Sequence, residues 1–154
     1  MDQATATREL KEVLETFETS LTTPVISGDL ASWIGYVQTN WTDLVPLIHQ
    51  QVDVQHRAEL KEIARENTEL LPRVQQLEAE DEAIREQMRS LTASITGLAQ
   101  NSARDETRET KSQENVAAAL VTEGLAFINH VRSQDVAVKT WLGEAFNREN
   151  GAGD

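Results

Sequence analysis

The sequence predicts an all-α fold, an antiparallel up-down-up-down four-helix bundle forming a single domain over residues 1–154. Two observations predict it. Apolar residues recur at steps of three and four through four long segments, the spacing of a helical stripe. No β-alternating run lies between those segments, and four amphipathic helices bury their stripes most simply against one another. A chain of 154 residues buries about 68–70% of the surface its unfolded form exposes, so one core suffices without metals or crosslinks. The rival architecture is a long coiled-coil hairpin that dimerises. The bulk of Trp33, Trp41, Trp141 and Phe146 argues against it, because narrow coiled-coil seams rarely hold such side chains.

The first helix is expected over residues 5–22, with Leu10, Val13, Leu14, Phe17 and Leu21 as its stripe. Pro24 ends it, since the residue before a proline is pushed out of helical geometry. The second runs over 28–65. Ser27 is its N-cap and Asp29 stands in the first turn; Leu30, Trp33, Ile34, Val37, Trp41, Leu44 and Ile48 form the stripe. Pro46 removes a backbone hydrogen bond within this run and predicts a kink. Beyond it the apolar face continues through Val52, Leu60 and Ile63, somewhat rotated.

The third helix, 68–99, starts near Asn67 or Thr68 with Pro72 tolerated in its first turn. Leu70, Val74, Leu77, Asp81, Ile84, Met88, Leu91, Ile95 and Leu98 alternate steps of four and three, and Asp81 is the one polar member. Residues 100–111 are polar and aperiodic and read as a loop. The fourth helix, 112–148, carries Ala117, Val121, Gly124, Ile128, Val131, Asp135, Val138 and Leu142 at the same alternating steps.

Acidic residues outnumber basic ones 26 to 14, for a net charge of −12. Phosphate-gripping proteins present a basic face, and here Lys and Arg are scattered singly, so nucleic acid and membrane are excluded as partners. The acidity serves solubility. The chain has no cysteine, which removes disulfides, thiolate metal sites and cysteine nucleophiles. Met1 to Lys11 is polar, without the apolar core of a signal segment, and no stretch reaches the roughly 20 apolar residues that cross a bilayer. A cytoplasmic location is expected.

Buried carboxylates are costly unless paired, protonated or bound to a cation, so Asp81 and Asp135 on two inward stripes are the informative anomalies. Each admits a plain reading as a buried ion pair or hydrogen bond, for Asp81 to an Arg, Trp or Tyr of another helix. Histidines add to them. His49 and Asp53 are an i, i+4 pair able to converge on one point; Asp53 and His56 are the i, i+3 alternative. His49 and His56 stand about 10 Å apart along a helix and do not share one ion directly. His130 lies at the edge of the fourth stripe, about 140° around the helix from Asp135. The plain reading of all three histidines is a partly exposed or hydrogen-bonded flank residue.

From Leu44 to Asp154 these residues resemble the bacterial hemerythrin-like (HHE cation-binding) domains. HQQVD, His49 to Asp53, is similar to that family's histidine followed four residues on by a glutamate, with Asp shortening the Glu. ELLPRVQQLEAEDEAI looks like its next helix, with Asp81 where a histidine would be and Arg85 where a second ligand would fall. LAFINHVRSQDVAVKTWLGEAFNRENGAGD looks like its final helix, with His130, Asp135 and the closing Gly151 and Gly153. Family members with two irons use about five histidines, and this chain has three, so the full oxygen-binding site is not assembled.

The resemblance implies a reduced metal site of His49, Asp53, Asp81, His130 and Asp135 between helices two, three and four. It would hold one or two ions, iron first, with manganese or zinc as alternatives, or none if the site is a relic. The competing function is a metal-free bundle that acts as a scaffold or protein-interaction module, with a protein partner or a second copy of the chain. An enzyme is the weakest reading. No Ser-His-Asp arrangement, phosphate-cradling glycine loop or pair of Glu-x-x-His repeats is present; only the variant Asp53-x-x-His56 occurs.

Overall fold

The computed structural model describes residues 3–26, 28–104 and 111–151, and their regular structure is all helical. Helix α1 spans Gln3–Thr22. Its C-terminus is closed locally: the Thr23 N–H and the Thr23 hydroxyl both donate to the Thr19 carbonyl, at 3.0 and 2.7 Å, and Pro24 prevents continuation. Gly28 turns the chain with φ of 90°, a conformation that favours glycine. Helix α2, Leu30–His49, starts where the Asp29 carbonyl accepts the Trp33 N–H at 3.1 Å, which puts Asp29 in the capping position. Ser27, the expected cap, lies outside the described residues.

Helix α2 contains Pro46 and is continuous through it. The departure from α geometry comes later, as a π-helix over Gln50–His56, followed by α3, Arg57–Glu66. At Asn67 the backbone becomes extended, and the Asn67 side chain accepts the Glu69 N–H at 3.0 Å. This cap opens a 3-10 turn, Thr68–Leu70, that leads into α4, Leu71–Arg104. Helix α5 spans Lys111–Gly151. Of the expected loop 100–111, residues 100–104 and 111 are helical, and 105–110 lie outside the described residues. The segment carries no glycine or proline to stop a helix, and polarity alone does not. No helix among the described residues is long and apolar enough to cross a membrane.

The chain divides into two compact units, Met1–Ile48 with Gln87–Ile128, and His49–Glu86 with Asn129–Asp154. In the first, α1, α2, α4 and α5 meet at Trp41. Its ring lies 5.2 Å from that of Phe17 on α1 and 5.3 Å, edge-on, from that of Phe127 on α5. Its indole N–H donates to Thr92 Oγ1 on α4 at 3.0 Å, so the one polar atom of a nearly buried ring is satisfied. Trp33 likewise donates to the Ser20 carbonyl at 3.0 Å. Leu21 of α1 packs on bare backbone of α5: a Cβ added at Gly124 would fall 2.5 Å from Leu21 Cδ1.

In the second unit, Leu60 and Ile63 of α3, Leu70, Val74 and Leu77, and Val138 and Ala145 of α5 form one apolar cluster, with Trp141 at its edge. Arg73 lies 4.6 Å over the Trp141 ring, a cation–π contact that screens the indole from water. All nine residues of the expected third stripe are buried, Asp81 among them. Of the four bulky aromatics, Trp33 and Trp41 are buried, Trp141 is partly covered and Phe146 is exposed.

Replacing Trp41 by Ala removes contacts to three other helices at once. Urea denaturation is expected to show a loss of about 3–5 kcal/mol, the range for buried aromatic truncation.

Candidate functional site

The polar centre of the second unit begins with the π-helix. Leu44, Ile48, Val52, His56 and Leu60 follow one another at four consecutive steps of four, and all five are buried. In an α-helix each such step overshoots the 3.6-residue turn by about 40°, so the run would spiral about 160° away from the core. A π turn closes its hydrogen bonds from i to i+5 and takes up more residues per turn. The π segment absorbs the excess and brings His56 inward, where its side chain is 0% exposed, while His49 is turned out to 53%.

His56 is held at both ring nitrogens. Nδ1 lies 3.0 Å from Asp81 Oδ1 on α4, and Nε2 lies 3.1 Å from Asp135 Oδ1 on α5. A neutral imidazole donates from one nitrogen only; the cation donates from both. Two carboxylate acceptors therefore select the imidazolium. Asp81 is further bound by Gln134 of α5, whose Nε2 donates to Asp81 Oδ1 at 3.2 Å and to the Leu77 carbonyl at 2.8 Å. Asp135 stays 26% exposed, so solvent reaches the second carboxylate. One buried cation thus answers both inward aspartates, and its bonds tie the π-helix to α4 and α5. The ion pair of Lys139 on α5 with Glu59 on α3 joins α3 to α5 one turn further along.

The other candidate ligands are engaged elsewhere. His49 Nδ1 donates to Asp53 Oδ2 at 2.9 Å, the expected i, i+4 pair, but the opposite oxygen of Asp53 accepts Arg85 Nε at 2.8 Å. Burial works to raise the Asp53 carboxyl, and hydrogen bonds from His49 and Arg85 together with the Arg85 charge outweigh it and hold it below its ordinary value. Arg85 also binds Glu82 at 2.9 Å. His130 is bound to Glu80 Oε2 at 2.7 Å on a largely exposed surface.

Of His49, Asp53, Asp81, His130 and Asp135, then, Asp81 and Asp135 converge, His49 and Asp53 form a separate pair with Arg85, and His130 stands apart with Glu80. The residue at the point of convergence is His56, which α-helical phase places on a flank. The signal for it was the run of four-residue steps. In this arrangement the residues do not fit a metal ion: the doubly donating His56 offers no lone pair, and a guanidinium occupies Asp53. Among the described residues no group of three or more His, Asp or Glu side chains is placed to hold one. No family model, curated protein or solved structure matches the chain.

Burial alone would lower the His56 pKa, but the hydrogen bonds the imidazole donates to Asp135 and Asp81 and their two charges override it and raise it from 6.5 to about 9. A raised folded-state value stabilises fully below the unfolded value and is lost as pH rises through the folded one. The shift is worth about 3 kcal/mol. The urea midpoint is therefore expected to fall between about pH 6.5 and about 9, and His56→Gln to be less stable at the acid end and flat across that window. A wild-type midpoint that does not change there contradicts the doubly bonded cation.

Proposed function

We propose that this chain is a hemerythrin-like, up-down-up-down helical bundle in which a protonated histidine takes the place of a metal ion, and that it works as a metal-free scaffold or protein-interaction module. The observation that carries this reading is the occupation of both His56 nitrogens by Asp81 and Asp135. The chain itself supplies a cation between the two carboxylates, where a metal would otherwise supply one, and offsets one of their two negative charges. The pairings within the second unit support the topology. Asp53 meets Arg85 and His56 meets Asp81; Leu77 meets Gln134 and Glu80 meets His130. In both sets numbers rise on one helix as they fall on the other, the sense of antiparallel neighbours. With both ring nitrogens of the centre occupied, the chemistry on offer lies at the surface, where Val54, Val136 and Phe146 stand exposed.

Metal analysis tests the reading on protein made without a polyhistidine tag, incubated anaerobically with Fe(II), or with Mn(II) or Zn(II), and desalted. The expected result is metal far below one ion per chain and a melting temperature indifferent to chelator. Near-stoichiometric metal that disappears in His49→Ala/His130→Ala overturns it in favour of the five-residue cation site. A paired substitution adds a second check. Breaking a buried pair by removing one partner costs about 3–5 kcal/mol, whereas apolar replacement of both is often neutral. His56→Leu is therefore expected to be strongly destabilised and His56→Leu/Asp81→Leu to recover most of the loss in urea denaturation.

A further inference from the structure

A cleft of about 590 Å³ opens in the second unit between the π-helix and α3 on one side and α4 on the other. Its volume falls in the roughly 300–1,000 Å³ range of small-molecule sites. Val52 and Leu60 supply apolar wall, and the Asp53–Arg85 ion pair closes one part of the lining. Two features of the remaining lining point to a ligand. Arg57 and Lys61, an i, i+4 pair on α3, border the cleft, and among the described residues neither has an ion-pair or hydrogen-bond partner. Glu78 stands in the same lining and forms no ion pair with either of them. Asp81 is the second feature. It is 3% exposed yet lines the cleft, and both of its hydrogen bonds, from His56 and Gln134, fall on Oδ1. Its Oδ2 takes no hydrogen bond from the described residues and is reachable from the cleft, where it is open to accept a donor.

We infer that this cleft binds a small zwitterion of the amino-carboxylate class, its ammonium on Asp81 Oδ2 and its carboxylate on Arg57 and Lys61. Charge-assisted hydrogen bonds anchor both ends, and Val52 and Leu60 contact the carbon chain between them. A guanidinium is suited to the carboxylate because it presents parallel N–H donors. A ligand ammonium at Asp81 also brings a second cation next to the His56 imidazolium, so occupancy is reported by His56 itself: its titration moves to lower pH when the ligand is bound. The site shares Asp81 with the His56 ion pair and in that respect rests on the proposed metal-free reading.

The test is an NMR titration of the full chain, with chelator present throughout so that a metal produces none of the response. Glycine, β-alanine and γ-aminobutyrate are the zwitterionic probes; acetate and methylammonium supply each end alone. Saturable shifts at Val52 and Leu60 are expected from at least one zwitterion, with a lowered His56 titration. Acetate and methylammonium are expected to bind at least about ten-fold more weakly, each having lost one charge-assisted anchor. Arg57→Ala/Lys61→Ala, at exposed positions without ion pairs, should keep the helical circular dichroism and melting temperature and weaken binding about ten-fold or more. Three zwitterions without a saturable response, acetate binding as tightly as the best of them, or a response that survives Arg57→Ala/Lys61→Ala overturns the proposal.

Discussion

A protonated imidazole buried between two carboxylates sets the terms for the second unit. Removing an ion from water costs several kcal/mol even after relaxation, so neither Asp81 nor His56 would be tolerated inside alone. Together they are, because each satisfies the other's charge and geometry at about 3 Å. The same condition restricts the backbone. The imidazole has to reach two helices at once, and the π-helix supplies the rotation that puts it there. Without that wider turn, the histidine at this position would leave the core face and two carboxylates would be stranded on their stripes.

The first unit solves a comparable packing problem with an aromatic hub. Trp41 touches three other helices, and its indole N–H ends on a threonine hydroxyl rather than on a charge. The two solutions respond differently to their surroundings. Aromatic contacts of about 0.5–1.5 kcal/mol each beyond area burial are insensitive to pH, whereas the imidazolium contacts depend on a proton. Alkali therefore loosens the second unit's polar centre and leaves the ring contacts around Trp41 as they are.

What was legible in the sequence follows from which forces are local and periodic. The nine-residue stripe from Leu70 to Leu98 is buried to the last member, since alternating steps of four and three are what a straight α-helix requires. The inward positions of Asp81 and Asp135 were readable for the same reason. The partner was not. Phase carried through Pro46 on the 3.6-residue period puts His49 and His56 on the same flank, about 20° apart, and the π segment separates them by turning His56 inward. The four successive four-residue steps from Leu44 to Leu60 held that information, but it emerges only when the steps are summed. The His49–Asp53 pair was readable from its spacing, but the second partner of Asp53 was not: Arg85 is 32 residues away in sequence, and nothing local in spacing or propensity reports such a pair. The resemblance to hemerythrin-like domains pointed to the region where the polar residues cluster but assigned them to a different set.

A π turn is geometrically an α-helix that has taken in one residue too many. Its surplus makes residues 50–56 a point of slack in an otherwise periodic chain, where a change of one residue in length is taken up locally. Loss of a single residue there would restore regular α bonding: the steps from Leu44 to Leu60 would become one of three and three of four, and His56 would still face the core. Loss of a residue outside this segment meets no such slack and rotates one side by about 100° against the other. Comparisons between this helix and an uninterrupted one should place a one-residue gap before, not after, His56.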